Sequence, residues 1–295
     1  MSRRGKLRLI PSHLPLVQSR LAQFERGQMN ATIAGLRADV VDARRVNVDA
    51  FFRDVDMLES APLMWVSEDM VKLSEDTADA GDFPTVPPPS STGLVFFEHD
   101  IQHIVSDVTD DDTGEVVGQA LITALLWECD ADGRILRLMP YTDFPLALRD
   151  TGAAQAGLPV IYHDRRAWRD FDAGRMYAER LLRAVWALSE QPNICEARPA
   201  TQNARHPLPA RFDQAISRVK MIVLRENLHR PGESGEDDER VRREYSHRFI
   251  VRGFWRNQAY GPNHSLRRRQ WIPPFVKGPA DKPLVCKDTV RIWRH

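Results

Sequence analysis

Two histidines near the end of the chain, His247 and His264, stand among Arg252, Arg256 and Lys277 in the stretch 245–278. Those residue types together can cleave RNA without a metal. The 2′-hydroxyl supplies the nucleophile, a histidine moves the proton, and the cations stabilise charge on the phosphoryl oxygens. The stretch reads YSHRFIVRGFWRNQAYGPNHSLRRRQWIPPFVKG and holds seven Lys or Arg with no Asp or Glu. Cations interleaved with rings point to a simpler chemistry as well, that of holding a polyanion. Guanidinium forks match phosphate oxygens, and aromatic rings stack on bases. The residues suited to binding are Arg248, Arg252, Trp255, Arg256, Arg267, Arg268, Arg269, Trp271 and Lys277. Isolated histidines are more often structural than catalytic, so binding leads and metal-independent cleavage is the alternative.

The charge balance sharpens the question. Residues 240–295 carry fourteen Lys or Arg against three acids, a balance of +11. Lys+Arg and Asp+Glu are equal at 41 each over the whole chain, so the remainder carries −11. Clustered basic charge attracts polyanions. Two partners compete: single-stranded or structured nucleic acid, or an acidic protein surface on this chain or another, as for an inhibitor of a host complex. In the aromatics, too, a plainer reading stands beside the functional one. Trp255, Trp271 and Trp293 can cover a small core, with arginine stems packed over them.

Other chemistries find little support. The chain has no G-x-S-x-G, H-E-x-x-H or Walker spacing, and GPNHSLRRRQ is a weak phosphate cradle. Glu98, Asp100, Glu128 and Asp143 lack the spacing of a two-metal site. His99 and His103, four apart, would share a helix face and could hold a metal, but FFEHDIQHIV reads as strand, which argues against that site. Asp110, Asp111 and Asp112 lack the spaced pattern of a calcium loop. Cys129, Cys195 and Cys286 form no CxxC pair, which argues against a zinc ribbon or a disulfide framework. No metal and no cofactor is expected. No apolar run is long enough to span a bilayer, and the opening MSRRGKLRLIPSHLP is too broken for a signal peptide. A cytoplasmic protein without a membrane partner is expected.

These side chains need elements to position them, and the patterning predicts an α+β chain. Residues 12–59 read as helices, with a break near Gly27 and Asn30 and a last helix near 49–59. Ser67 is placed to cap the helix that begins with Glu68 and Asp69. The prolines of PTVPPPSST, 84–92, make a linker. Strands follow at GLVFFE, GQALITALLWEC and RILRLMPY, the last two joined by a turn at Asp130–Gly133. A helix is predicted over 172–191, with Met176, Leu181, Val185 and Leu188 on one face, and Trp186 and Tyr177 in the core. A short helix near 209–217 precedes VKMIVL, which is expected to join HRFIVRGFW, RQWIPPFV and LVCKDTVRIWR in one antiparallel sheet of about four strands. The charged run 229–244 reads as a flexible excursion. The implied organisation is a helical segment 1–83, the linker 84–92, a hairpin and helix 93–200, and a basic sheet domain 201–295.

The tail EYSHRFIVRGFWRNQAYGPNHSLRRRQWIPPFVKGPADKPLV resembles the closing segment of a group of uncharacterised actinobacterial and phage or mobile-element proteins. MWVSEDMVKLSEDTA and PPPSSTGLVFFE are similar to the same group, so the resemblance spans most of the chain. It implies a mobile-element setting and carries no activity with it. The group's pattern has a histidine after the glycine of VRG, where this chain has Phe254. The helices-then-sheet order of the second half is also similar to RelE-like ribonuclease toxins, a likeness of fold from which no function follows.

Overall fold

Alternating apolar positions in widely separated stretches build one mixed sheet of seven strands. The computed structural model describes residues 9–35, 48–109, 116–142, 162–163, 172–192, 194–225, 246–279 and 282–285. The acidic run 110–112, the charged run 229–244 and the chain after Val285 lie outside the described residues. The sheet is made of β1 (Leu63–Val66), β2 (Thr92–Thr109), β3 (Val116–Cys129), β4 (Ile135–Thr142), β5 (Tyr162–His163), β6 (Cys195–Pro199) and β7 (Lys220–Leu224), in the order β5-β4-β3-β2-β1-β7-β6. The chain is α+β as the patterning predicts, with helices first and small antiparallel pairings near its end.

Strand β1 runs parallel to both β2 and β7, whereas β2, β3, β4 and β5 pair antiparallel in succession. One alternating set, Leu63, Trp65, Leu94, Phe96, Ala124, Leu126 and Tyr141, joins a single buried cluster. Helices α1 (Leu14–Gly35) and α2 (Val48–Ser60) contribute Leu14, Val17, Leu21, Val55 and Leu58 to it. Removing apolar side chains of this size from water stabilises by about 1.5–3 kcal/mol each. The intervening set, Met64, Val66, Val95, Phe97, Leu125 and Trp127, is buried as well. Burial of both sets explains why MWV, LVFF and ALLW are near-continuous apolar runs.

Polar side chains fix the joints between these elements. Gln18 on α1 donates from Nε2 to the carbonyls of Leu58 (2.7 Å) and Ala61 (2.8 Å), serving acceptors that the end of α2 leaves open. Arg137 on β4 pairs with Glu128 on β3 at 2.6 Å and with Asp54 on α2. At the β3–β4 turn, Asp130 Oδ1 accepts from the backbone N–H groups of Asp132 and Arg134, and Gly133 takes φ 78°. Trp127 lies across Gly93, its partner on β2, and donates its indole N–H to the Ser90 carbonyl at 3.2 Å.

Several expectations change. Helix α1 runs without a break through Gly27 and Asn30, because one glycine costs a helix only about 1 kcal/mol. Strand β2 continues past the short run GLVFFE to Thr109, and His99 and His103 lie on it, as FFEHDIQHIV suggests. Ser67 makes no capping contact, and its buried hydroxyl has no partner among the described residues. In helix α4 (Asp172–Ser189), Leu181, Val185, Trp186 and Leu188 are buried, but Met176 is exposed. VKMIVL forms β7 inside the large sheet, between β1 and β6, and takes no part in the tail's pairings. The chain also divides into two compact units. One gathers Met1–Ser67, Pro87–Glu179 and Ala197–Ile222; the other gathers Glu68–Val86, Arg180–Glu196 and Val223–His295. Among the described residues no helix is long and apolar enough to cross a membrane.

Candidate nucleic-acid interface

The second unit holds helix α3 (Glu68–Ala80) and the strands of the basic tail. Its strands form two small sheets where the sequence predicts one. β8 (Arg248–Val251) pairs antiparallel with β11 (Phe275–Lys277) and parallel with β12 (Leu284–Val285). β9 (Phe254–Tyr260) and β10 (Leu266–Ile272) form a separate antiparallel ribbon. Gly253 and Pro274 interrupt the chain between them, and a side chain at Gly253 would crowd the Pro274 ring. The ribbon turns through Gly261 (φ 78°) and Asn263 (φ 53°), positions at which glycine and asparagine are the tolerated residues.

The first arginines of the tail are already engaged. Arg248 Nη2 lies 3.3 Å from Asp69 on α3, and its Nε donates to the Lys282 carbonyl at 2.7 Å. Arg252 Nε lies 3.3 Å from Asp76, two helical turns further along α3. Trp255 donates its indole N–H to Asp82, just beyond the helix, at 2.7 Å. Three tail residues thus follow a row of carboxylates along α3, in the same direction as the helix. The docking on the chain's own acidic residues that charge asymmetry allows is realised at Arg248 and Arg252. Asp76 shows the electrostatic cost: burial raises its carboxyl above the ordinary value, Arg252 pulls it down, and Asp79 pushes it up.

The ribbon is different in character. From Phe254 to Ile272 it carries Arg256, Arg267, Arg268 and Arg269 and no carboxylate. Its register sets Trp255 opposite Trp271, Arg256 opposite Gln270, Asn257 opposite Arg269, and Phe254 opposite Ile272. Trp271 is 9% exposed, and with the Trp255 N–H held by Asp82 this side of the ribbon is anchored at its base. On the other side Phe254 is 43% exposed and Leu266 49% exposed, with Arg256 and Gln270 also exposed. The sequence points to Trp255 and Trp271 as the stacking rings. A ring in the open is found instead at Phe254, which the sequence does not single out for binding. Alternation along FWR is the available signal, since neighbouring rings must point to opposite sides.

The remaining candidates are spread over these elements. Lys277 ends β11, exposed, opposite Phe249 on β8. His247 is half-buried before β8; its Nδ1 lies 3.1 Å from Ser246 Oγ, and its ring meets Phe249 edge-on at 6.2 Å. His264 ends the 3-10 turn between β9 and β10. The two histidines therefore belong to connections of different sheets. Among the described residues no group of three or more His, Cys, Asp or Glu is arranged to hold a metal ion.

This arrangement defines an α+β protein with an arginine-rich β-ribbon beside an acid-docked strand. No family model matches the chain, and no curated protein or solved structure does.

Proposed function

We propose that the protein binds nucleic acid, single-stranded or structured, through the β9–β10 ribbon, in the cytoplasmic setting of a phage or mobile element. The observation that supports this reading is a ribbon with four arginines and no carboxylate, in a unit where other arginines already meet carboxylates. An arginine held by aspartate must break that pairing to reach a phosphate, whereas Arg256 stands exposed on the ribbon. The test compares two pairs of substitutions in the intact chain by fluorescence anisotropy with labelled RNA and DNA. R256A/R267A is expected to weaken binding on the order of tenfold for every sequence. R248A/R252A is expected to change it little. Equal losses in both pairs, or no binding by the folded wild type, contradict the reading.

A second reading is favoured by the way Arg248 and Arg252 engage a helix of aspartates: the tail suits an acidic protein partner. A stoichiometric protein that stays bound after nuclease treatment of a lysate, and is absent with R256A/R267A, supports it.

A further inference from the structure

We infer that Phe254 is the stacking platform of the ribbon and that the ligand it selects is a strand with unpaired bases. The inference rests on the ribbon reading and deepens it. Four observations carry it. Phe254 is 43% exposed, although it sits in a paired strand opposite Ile272. Arg256 lies two residues along β9, on the same side, and is exposed. Gln270, exposed, stands opposite Arg256 in the register. The side that carries Trp255 and Trp271 is anchored through Asp82 and through burial of Trp271.

An aromatic face, a guanidinium one strand repeat away (about 7 Å) and an amide across the ladder match three features of a nucleotide: the face of its base, its phosphate and the edge of its base. The ring takes the base, the guanidinium takes the phosphate, and the amide has a donor and an acceptor for a base edge. In a duplex the base faces are already stacked on each other, so the ring adds nothing there. In a single strand each base can turn out onto the ring. The exposed Leu266 extends the apolar surface at the far end of the same side.

The experiment uses the full chain with three probes: oligo(dT), an abasic strand of the same length, and a duplex of the same length. Phe254→Leu keeps an apolar strand residue and removes the ring; Phe254→Trp enlarges it. F254L is expected to weaken oligo(dT) binding by about 5- to 100-fold, with the abasic strand and the duplex unchanged. F254W is expected to bind oligo(dT) at least as tightly as the wild type. An F254L protein with unchanged oligo(dT) affinity, or with equal losses on all three probes, overturns the inference and leaves the ribbon reading standing. If the folded wild type binds none of the probes, both fall together.

Discussion

Arg252 and Arg256 carry the same charge four residues apart and meet different surroundings. Arg252 faces Asp76, whose carboxyl is raised by burial; Arg256 is exposed on a ribbon without acids. A raised carboxylate costs stability while it is charged, and that cost disappears as pH falls through the raised value towards 3.8. Arg252→Ala removes the cation that offsets the cost. With Arg252 60% exposed, the destabilisation at neutral pH is expected to be about 0.5–1 kcal/mol. It should shrink as acid protonates Asp76, and it should have no pH dependence in an Asp76→Asn background. Urea unfolding at neutral and acid pH measures both; a deficit that grows in acid contradicts the assignment. Trp271→Phe supplies a second check at this scale. Its ring is buried, so the substitution should leave nucleic-acid affinity unchanged, and a weakening like that of F254L would return the stacking role to Trp271.

At the scale of elements, local signals are legible in the sequence and distant pairings are not. Helix α2, most of α4 and the Asp130–Gly133 turn follow from short-range periodicity and turn chemistry. Strand β1 is only four residues, LMWV, and runs on into the acidic start of α3, so it reads as a helix lead-in. Strand β7 pairs in parallel with β1 across more than half the chain, and no local pattern names a partner so far away. Within the candidate interface the arginines are legible by composition. Which of them meet α3 is not, because the match of β8 to the Asp69–Asp76 spacing is a tertiary fact. The packing of Trp127 gives a sharp prediction. A Cβ at Gly93 would fall on the Trp127 ring, which is fully buried and tied to Ser90. Gly93→Ala is therefore expected to destabilise by about 1–3 kcal/mol through overpacking, read as a lower urea midpoint. An unchanged midpoint would mean that the β2–β3 pairing relaxes without cost.

Over the whole molecule, equal numbers of acids and bases conceal a division of −11 and +11 along the chain. Part of the basic excess is answered within its own unit by the carboxylates of α3, and the β9–β10 ribbon carries arginines without acids of its own. The central claim is that the ribbon arginines neutralise phosphates. Each neutralised phosphate releases a counterion, so on a single strand every arginine–phosphate pair adds about 0.7 to the slope of log affinity against log salt. The most direct measurement is that slope for oligo(dT), taken on the wild type, R256A/R267A and R248A/R252A. The slope is expected to be smaller by about 1.4 in R256A/R267A and unchanged in R248A/R252A. A slope that is the same in all three proteins, or smaller only in R248A/R252A, would contradict it.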